Sequence, residues 1–280
     1  MLRPHFLFCG VLGAALAQGA AASEPELTIV VGGKMATYAP ASLLAMPAAT
    51  SITIPGDVAY KHDMTYRAVP VSALLAGVGT DETIRFVAGD GYVATLPAAP
   101  LLARGAGAIA YLAIEPPDTP WPTLKPGESA TAGPFYLVWA HPDQGGIAPG
   151  QWPFQIVRIE SVAPLVKRFP MLAPAPGVSA QDPIRHGFAA YEKHCSNCHT
   201  LNLGGDATIG PDLNVPYSPT EYLRVDALRR LIRDSQSLRR WPAARMPKFP
   251  IATLSDRELT DLLAYLRHMA DRKVTLPAAK

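Results

Sequence analysis

Cys195-Ser196-Asn197-Cys198-His199 places two thiols three positions apart, with an imidazole directly after the second. That spacing suits attachment of a c-type haem. Each thiol can close a thioether to one of the haem's two vinyl groups, and the adjacent imidazole can reach the iron from the proximal side. A bare Cys-x-x-Cys also serves as a redox dithiol or as half of a zinc site. The flanking sequence has to arbitrate.

Upstream, Asp182 followed by Pro183 is a helix start of the preferred kind, a capping side chain and then a first-turn proline. Ile184, Phe188 and Tyr191 fall on one stripe of that helix, and Gly187 leaves room for another helix to come close. Downstream, Ser255-Asp256-Arg257-Glu258 is a capping box. It opens a helix in which Leu259, Leu262, Leu263, Leu266 and Met269 keep the helical period. A further helix is expected at Asp226–Ser235, burying Leu228, Leu231 and Ile232. The stretch 182–274 therefore reads as an all-α domain.

This stretch resembles a small class I cytochrome c. Gly187 and Tyr191 match that family's glycine and aromatic, eight and four residues before the first haem cysteine. Asp261-Leu262-Leu263-Ala264-Tyr265-Leu266 matches the last helix, which crosses the first. Gly210-Pro211-Asp212-Leu213 matches the loop whose proline carbonyl accepts a hydrogen bond from the haem histidine. The resemblance implies one haem c held by Cys195 and Cys198, with His199 as one axial iron ligand and Pro211 as its hydrogen-bond acceptor. It implies Met246, in Arg245-Met246-Pro247-Lys248-Phe249, as the other axial ligand. Met269 is a rival on the packing face of the last helix, and His268 and His194 would give bis-histidine ligation but fit solvent-facing positions better. Imidazole and thioether together favour ferrous iron and raise the potential. A six-coordinate iron has no open site for substrate, which favours electron transfer over catalysis.

Between Asp182 and Lys273, 14 Lys/Arg stand against 11 Asp/Glu, and the excess clusters as Arg229, Arg230, Arg233, Arg239, Arg240, Arg245 and Lys248. A basic rim beside Met246 would steer an acidic redox partner, although solvated helix faces account equally well for the cluster. Between Glu24 and Leu165 the balance reverses, 7 against 12. That acidic region could itself be what the rim touches.

The region 24–164 is rich in Val, Ile, Thr and turn residues. Strands are expected at Leu27–Val31, Ser51–Ile54, Ile84–Val87, Tyr92–Leu96, Ile109–Ile114, Phe135–Ala140 and Phe154–Ile159. Gly89-Asp90-Gly91 marks a hairpin turn, and Val71–Leu75 a short helix after Pro70. The fold class is mixed α+β, mostly β. The order of pieces resembles the sulfite-oxidase-type molybdopterin-binding fold. Tyr66-Arg67-Ala68-Val69-Pro70-Val71 before Leu74-Leu75, Asp90-Gly91-Tyr92, Ala110-Tyr111-Leu112-Ala113 and Gly133-Pro134-Phe135-Tyr136-Leu137-Val138 carry the likeness. So does Trp152, ahead of the strand ending in Arg158-Ile159-Glu160.

That family holds molybdenum through a cysteine thiolate, and this region has none; Pro55-Gly56-Asp57 stands where the cysteine is expected. No other residue supplies the soft ligand. The expectation is a molybdopterin-type fold without its metal chemistry. A copper site from His62, Met64 and His141 with Met35 and Met46 is conceivable, against surface histidines and methionines that fill core gaps. Trp121, Trp139 and Trp152 read as core or interface residues.

The segment 165–181, with Pro170, Pro174, Pro176 and Gly177, reads as a semi-extended spacer. Residues 1–22 carry Arg3, an apolar run Phe6–Ala17 and then small residues, the form of a secretory signal peptide. Cleavage after Ala17 or Ala22 fits. Cys9 lies inside that run, so only the two motif cysteines remain and no disulfide framework is expected. No later stretch has membrane-spanning length. With 49% of the chain apolar and 17% charged, disorder is excluded.

The reading is an exported, periplasmic, two-domain electron carrier, with the first domain docking a partner. Nucleic acid is not implied for an exported chain. The alternatives are a haem dehydrogenase subunit whose first domain still binds a cofactor, and a periplasmic copper-binding module with a haem.

Overall fold

The computed structural model describes residues 24–242, 244 and 246–275. The expected signal peptide, 1–22, lies outside them. The chain divides into a sheet-rich N-terminal region and a helical C-terminal region.

The first region contains β1 (Leu27–Val31), β2 (Lys34–Tyr38), α1 (Pro40–Leu44), β3 (Thr50–Ile54), β4 (Met64–Pro70) and α2 (Val71–Leu74). It continues with β5 (Thr83–Ala88), β6 (Val93–Pro97), α3 (Ala98–Leu101), β7 (Ile109–Ile114), β8 (Phe135–Ala140) and β9 (Ile156–Val162). One sheet has the order β2-β1-β9-β5-β6 and the other β3-β4-β7-β8. Among the described residues only β1 and β9 pair in parallel, Ile29 opposite Ile159. Inward residues of both sheets form one core, with Ile29, Phe86, Tyr66, Leu112, Leu137 and Trp139 among its members. Each fully buried Leu, Ile or Phe there contributes roughly 1.5–3 kcal/mol.

All seven expected strands are present, Leu27–Val31, Ile109–Ile114 and Phe135–Ala140 with the expected bounds and the other four with ends shifted by one to three residues. Two further strands are β2 and β4. In β4, Met64, Tyr66 and Ala68 are buried while Thr65 and Arg67 are exposed, the alternation of a half-covered strand. β2 is an edge strand without a buried residue, so it carries no apolar pattern to read. The Gly89-Asp90-Gly91 turn joins β5 to β6 as expected: Tyr92 N–H donates to Asp90 Oδ1 at 3.0 Å.

The second region begins after α4 (Leu165–Arg168) and comprises α5 (Pro183–His194), α6 (Pro219–Tyr222), α7 (Val225–Arg233) and α8 (Asp256–Ala270). Asp182 caps α5 through Oδ1 to Ile184 N–H, 2.8 Å. The capping box of α8 is formed in both directions, with Ser255 N–H donating to Glu258 Oε2 at 2.8 Å. α5 and α8 cross in contact at Gly187, where a Cβ would run into the carbonyl oxygen of Asp261. Tyr265 then packs between Phe188 and Tyr191, ring centroids 5.4 and 5.6 Å away.

The segment 165–181 differs from a semi-extended spacer. Leu165 and Leu172 belong to the helical core, Tyr265 hydroxyl donates to Leu172 O at 2.7 Å, and Ala175 N–H donates to His268 Nε2 at 3.0 Å. Two leucines among the prolines supply the apolar contact that holds it down.

Candidate functional site

α5 delivers the Cys-x-x-Cys-His run at its C-terminal end. Cys195 N–H and Ser196 N–H both donate to Tyr191 O at 2.9 Å, and His199 N–H to Cys195 O at 2.9 Å, so the motif continues the helix as a tight turn. Tyr191, fully buried, donates its hydroxyl to His199 O at 3.0 Å and ties helix to motif. Neither Cys195 nor Cys198 takes part in a disulfide. Burial pushes the Cys195 thiol up to about 12, which keeps it protonated.

His199 Nδ1 lies 2.8 Å from Pro211 O. A carbonyl only accepts, so Nδ1 carries the proton and Nε2 keeps its lone pair. Burial also lowers the imidazole's pKa, against smaller raising effects of the Pro211 bond and the Asp212 carboxylate. The ring is thus neutral and oriented, with Nε2 left free of a proton. Gly210 makes the approach possible: a Cβ there would lie 2.5 Å from both Cε1 and Nδ1 of His199.

Asp212 anchors this loop. Its Oδ1 accepts from Asn202, Asn214 and Val215 N–H at 3.1, 2.8 and 2.8 Å, and its Oδ2 from Leu203 N–H at 2.7 Å. Asn214, fully buried, bridges onward to Asn202 Oδ1 and to Met269 O, 2.7 and 2.6 Å. Sequence reasoning gave Asp212 no role. Its signal was an Asp followed by turn-forming Asn and Pro, which fits many loops.

Met246 is half-buried and packs against the helical core from the segment before α8. Arg233 holds that segment, donating to Phe249 O at 2.8 Å, to Leu254 O and to Asp256 Oδ1 at 2.7 Å. Met269 is buried in the core, as expected. The expectation of solvent-facing histidines fails for His194, which is buried, whereas His268 is half-buried. His194 is buried edge-on against Phe249, its pKa lowered to about 4 by burial, and His268 Nε2 accepts from Ala175 N–H.

The basic cluster is only partly available. Arg233 pairs with Asp256 and Lys248 with Asp234, both at 2.7 Å, and Arg229 donates to Thr260 Oγ1 at 2.6 Å. Arg239 and Arg240 are exposed, Arg239 lying over the Trp241 ring at 5.4 Å. The first region meets the second through the opposite charges, Arg85 against Asp206 at 2.5 Å.

In the first region Asp57 is fully buried. Its Oδ1 accepts from Ala59 and Tyr60 N–H at 2.8 and 2.9 Å and from Tyr136 hydroxyl at 3.3 Å; its Oδ2 accepts from Tyr66 hydroxyl at 3.0 Å. His62 and His141 are exposed, Met64 is buried and Met46 half-buried. Met35, expected to fill a core gap, is instead exposed on edge strand β2. Trp121, Trp139 and Trp152 are core residues. Among the described residues no three His, Cys, Asp or Glu side chains are grouped to hold a metal ion. No helix among them is long and apolar enough to cross a membrane.

Two thiols and an oriented neutral imidazole, with the Met246 thioether packed against the same helical core as Cys195, form a donor set that fits a covalently attached, axially ligated haem. Residues 184–270 match the family model for Cytochrome c, which covers less than half of the chain. The C-terminal region is therefore a cytochrome c domain, which implies covalently bound haem c and haem-borne electron transfer with a redox partner. No curated protein matches the chain.

Proposed function

We propose that the protein is an exported c-type cytochrome of the periplasm, carrying single electrons on one haem c, with a first domain that docks a partner and holds no metal. The Cys195 and Cys198 thiols would hold the haem, and His199 and Met246 would ligate its iron. The group supplies a one-electron ferric–ferrous couple.

The chain's own residues prepare that site. Pro211 fixes the His199 tautomer, Gly210 gives the ring room, and Asp212 holds the loop that carries both. Ring orientation is then built in rather than acquired at each electron transfer, and the donor Nδ1–H raises ligand basicity. The Met246 segment, pinned by Arg233, offers a thioether without a proton to lose. The observation that carries the reading is the 2.8 Å contact of His199 Nδ1 with Pro211 O, directly after two vinyl-reactive thiols.

For the first domain, the support lies in Asp57. Four donors fill the carboxylate at the position expected for the molybdenum cysteine, so it serves the core. Elemental analysis of the purified protein tests the reading. One iron per chain without molybdenum or copper agrees; stoichiometric molybdenum would move the function to a dehydrogenase, and copper to a metal-binding module.

A further inference from the structure

The third residue of the attachment motif leaves its own domain. Asn197 is buried, and its Nδ2 donates to Tyr92 hydroxyl at 3.1 Å and to Gly150 O at 3.0 Å. Tyr92 hydroxyl in turn donates to Gly150 O at 2.6 Å, so one amide closes a triangle with two loops of the first region. The fit is close, since a Cβ on Gly150 would lie 3.3 Å from Asn197 Nδ2.

A second contact sits a few residues on. Asp206 Oδ1 meets Arg85 Nη1 of β5 at 2.5 Å and Arg168 Nη1 of α4 at 2.7 Å. Arg85 is braced from behind by Glu160 of β9, Nη2 to Oε1 at 2.5 Å, and Glu160 also takes Arg158 at 2.9 Å. The Asp206 and Glu160 side chains are only 12% and 11% exposed, so water screens these pairs weakly. Thr208 completes the row: its hydroxyl donates to Gly91 O at 3.4 Å, and a Cβ on Gly91 would lie 2.7 Å from that hydroxyl.

Asn197, Asp206 and Thr208 all belong to the attachment motif and the loop that runs from it to Pro211. We infer that the partner of the first domain is this chain's own haem domain: the loops around Tyr92 and Gly150 form a fixed cap seated on the attachment motif and its following loop. The inference deepens the docking role proposed above and rests on it. The cap uses an acidic residue of the haem domain against a basic one of the first, so the rim around Arg239 and Arg240 stays available to an outside protein.

Hydrogen–deuterium exchange on the full-length haem protein tests the cap. In the double variant Arg85→Ala with Asn197→Ala, amides in 88–92, 148–151 and 200–210 should exchange about tenfold faster or more, while α8 keeps its wild-type rate. Unchanged exchange in those segments would overturn the cap. Where the variant does not fold, small-angle scattering of the wild type decides. A profile fitted by the single arrangement described here supports the cap, and one that requires separated domains overturns it. Covalent haem content, read on the same samples, is a separate outcome: its absence sinks the electron-carrier reading without touching the cap.

Discussion

His199 Nδ1 donates to the carbonyl of Pro211 across 2.8 Å, and this one bond joins the attachment motif to a loop twelve residues further on. It fixes the tautomer, and so decides which nitrogen is left to bind a metal. Gly210, beside it, is small because the ring occupies the space a side chain would need.

Gly210→Ala should therefore displace the imidazole. Overpacking of this kind costs about 1–3 kcal/mol. The measurable result is a lower denaturation midpoint together with an altered spectrum of the ferric protein, because the ring is pushed off its axis. A variant with wild-type midpoint and spectrum would show that the loop yields freely.

Methionine ligation of the iron by Met246 is tested by a pair of substitutions. Met246→Ala should abolish the weak far-red band of thioether-ligated ferric haem and lower the potential, since the sulfur favours ferrous iron. Met269→Ala should keep the band and lose about 2–5 kcal/mol of stability, the cost of a core cavity. The reverse pattern would transfer ligation to Met269.

Glu192 gives a pH dependence with a definite sign. Burial raises its pKa from the usual carboxylate range to about 7. Between roughly pH 4.5 and 7 the folded protein therefore binds more protons than the unfolded one, so this group's contribution is fully favourable below that window. It is lost as pH rises through 7. Glu192→Gln should accordingly be more stable than wild type at pH 8, with the difference shrinking towards pH 4.5, as read by denaturant midpoints. An equal difference at both pH values would contradict a raised pKa.

The helical region was legible because its signals are local. Asp182-Pro183, Gly187, Tyr191 and the Ser255–Glu258 box each sit within a few residues of what they specify, and the structure places them as their spacing suggests. The contacts of Asn197 with Tyr92 and of Asp206 with Arg85 span 105 and 121 residues. They are made by single polar side chains on loops, which have no period to read. β2 escaped for a related reason, having no buried face, and the burial of His194 depends on Phe249, which reaches it from another segment.

The first domain's expected lack of metal chemistry has its own check. Asp57→Ala should destabilise the domain without changing metal content, because it strips four donors of their acceptor in the core, at about 1–3 kcal/mol for each polar group left unsatisfied. A change in bound metal with unchanged stability would instead make Asp57 a ligand.

The most direct measurement is acid–acetone extraction of the purified protein. Two thioethers from Cys195 and Cys198 would keep the haem on the polypeptide, and the double variant Cys195→Ala with Cys198→Ala should release it into the organic phase. Haem released from the wild-type protein would contradict the account at its root.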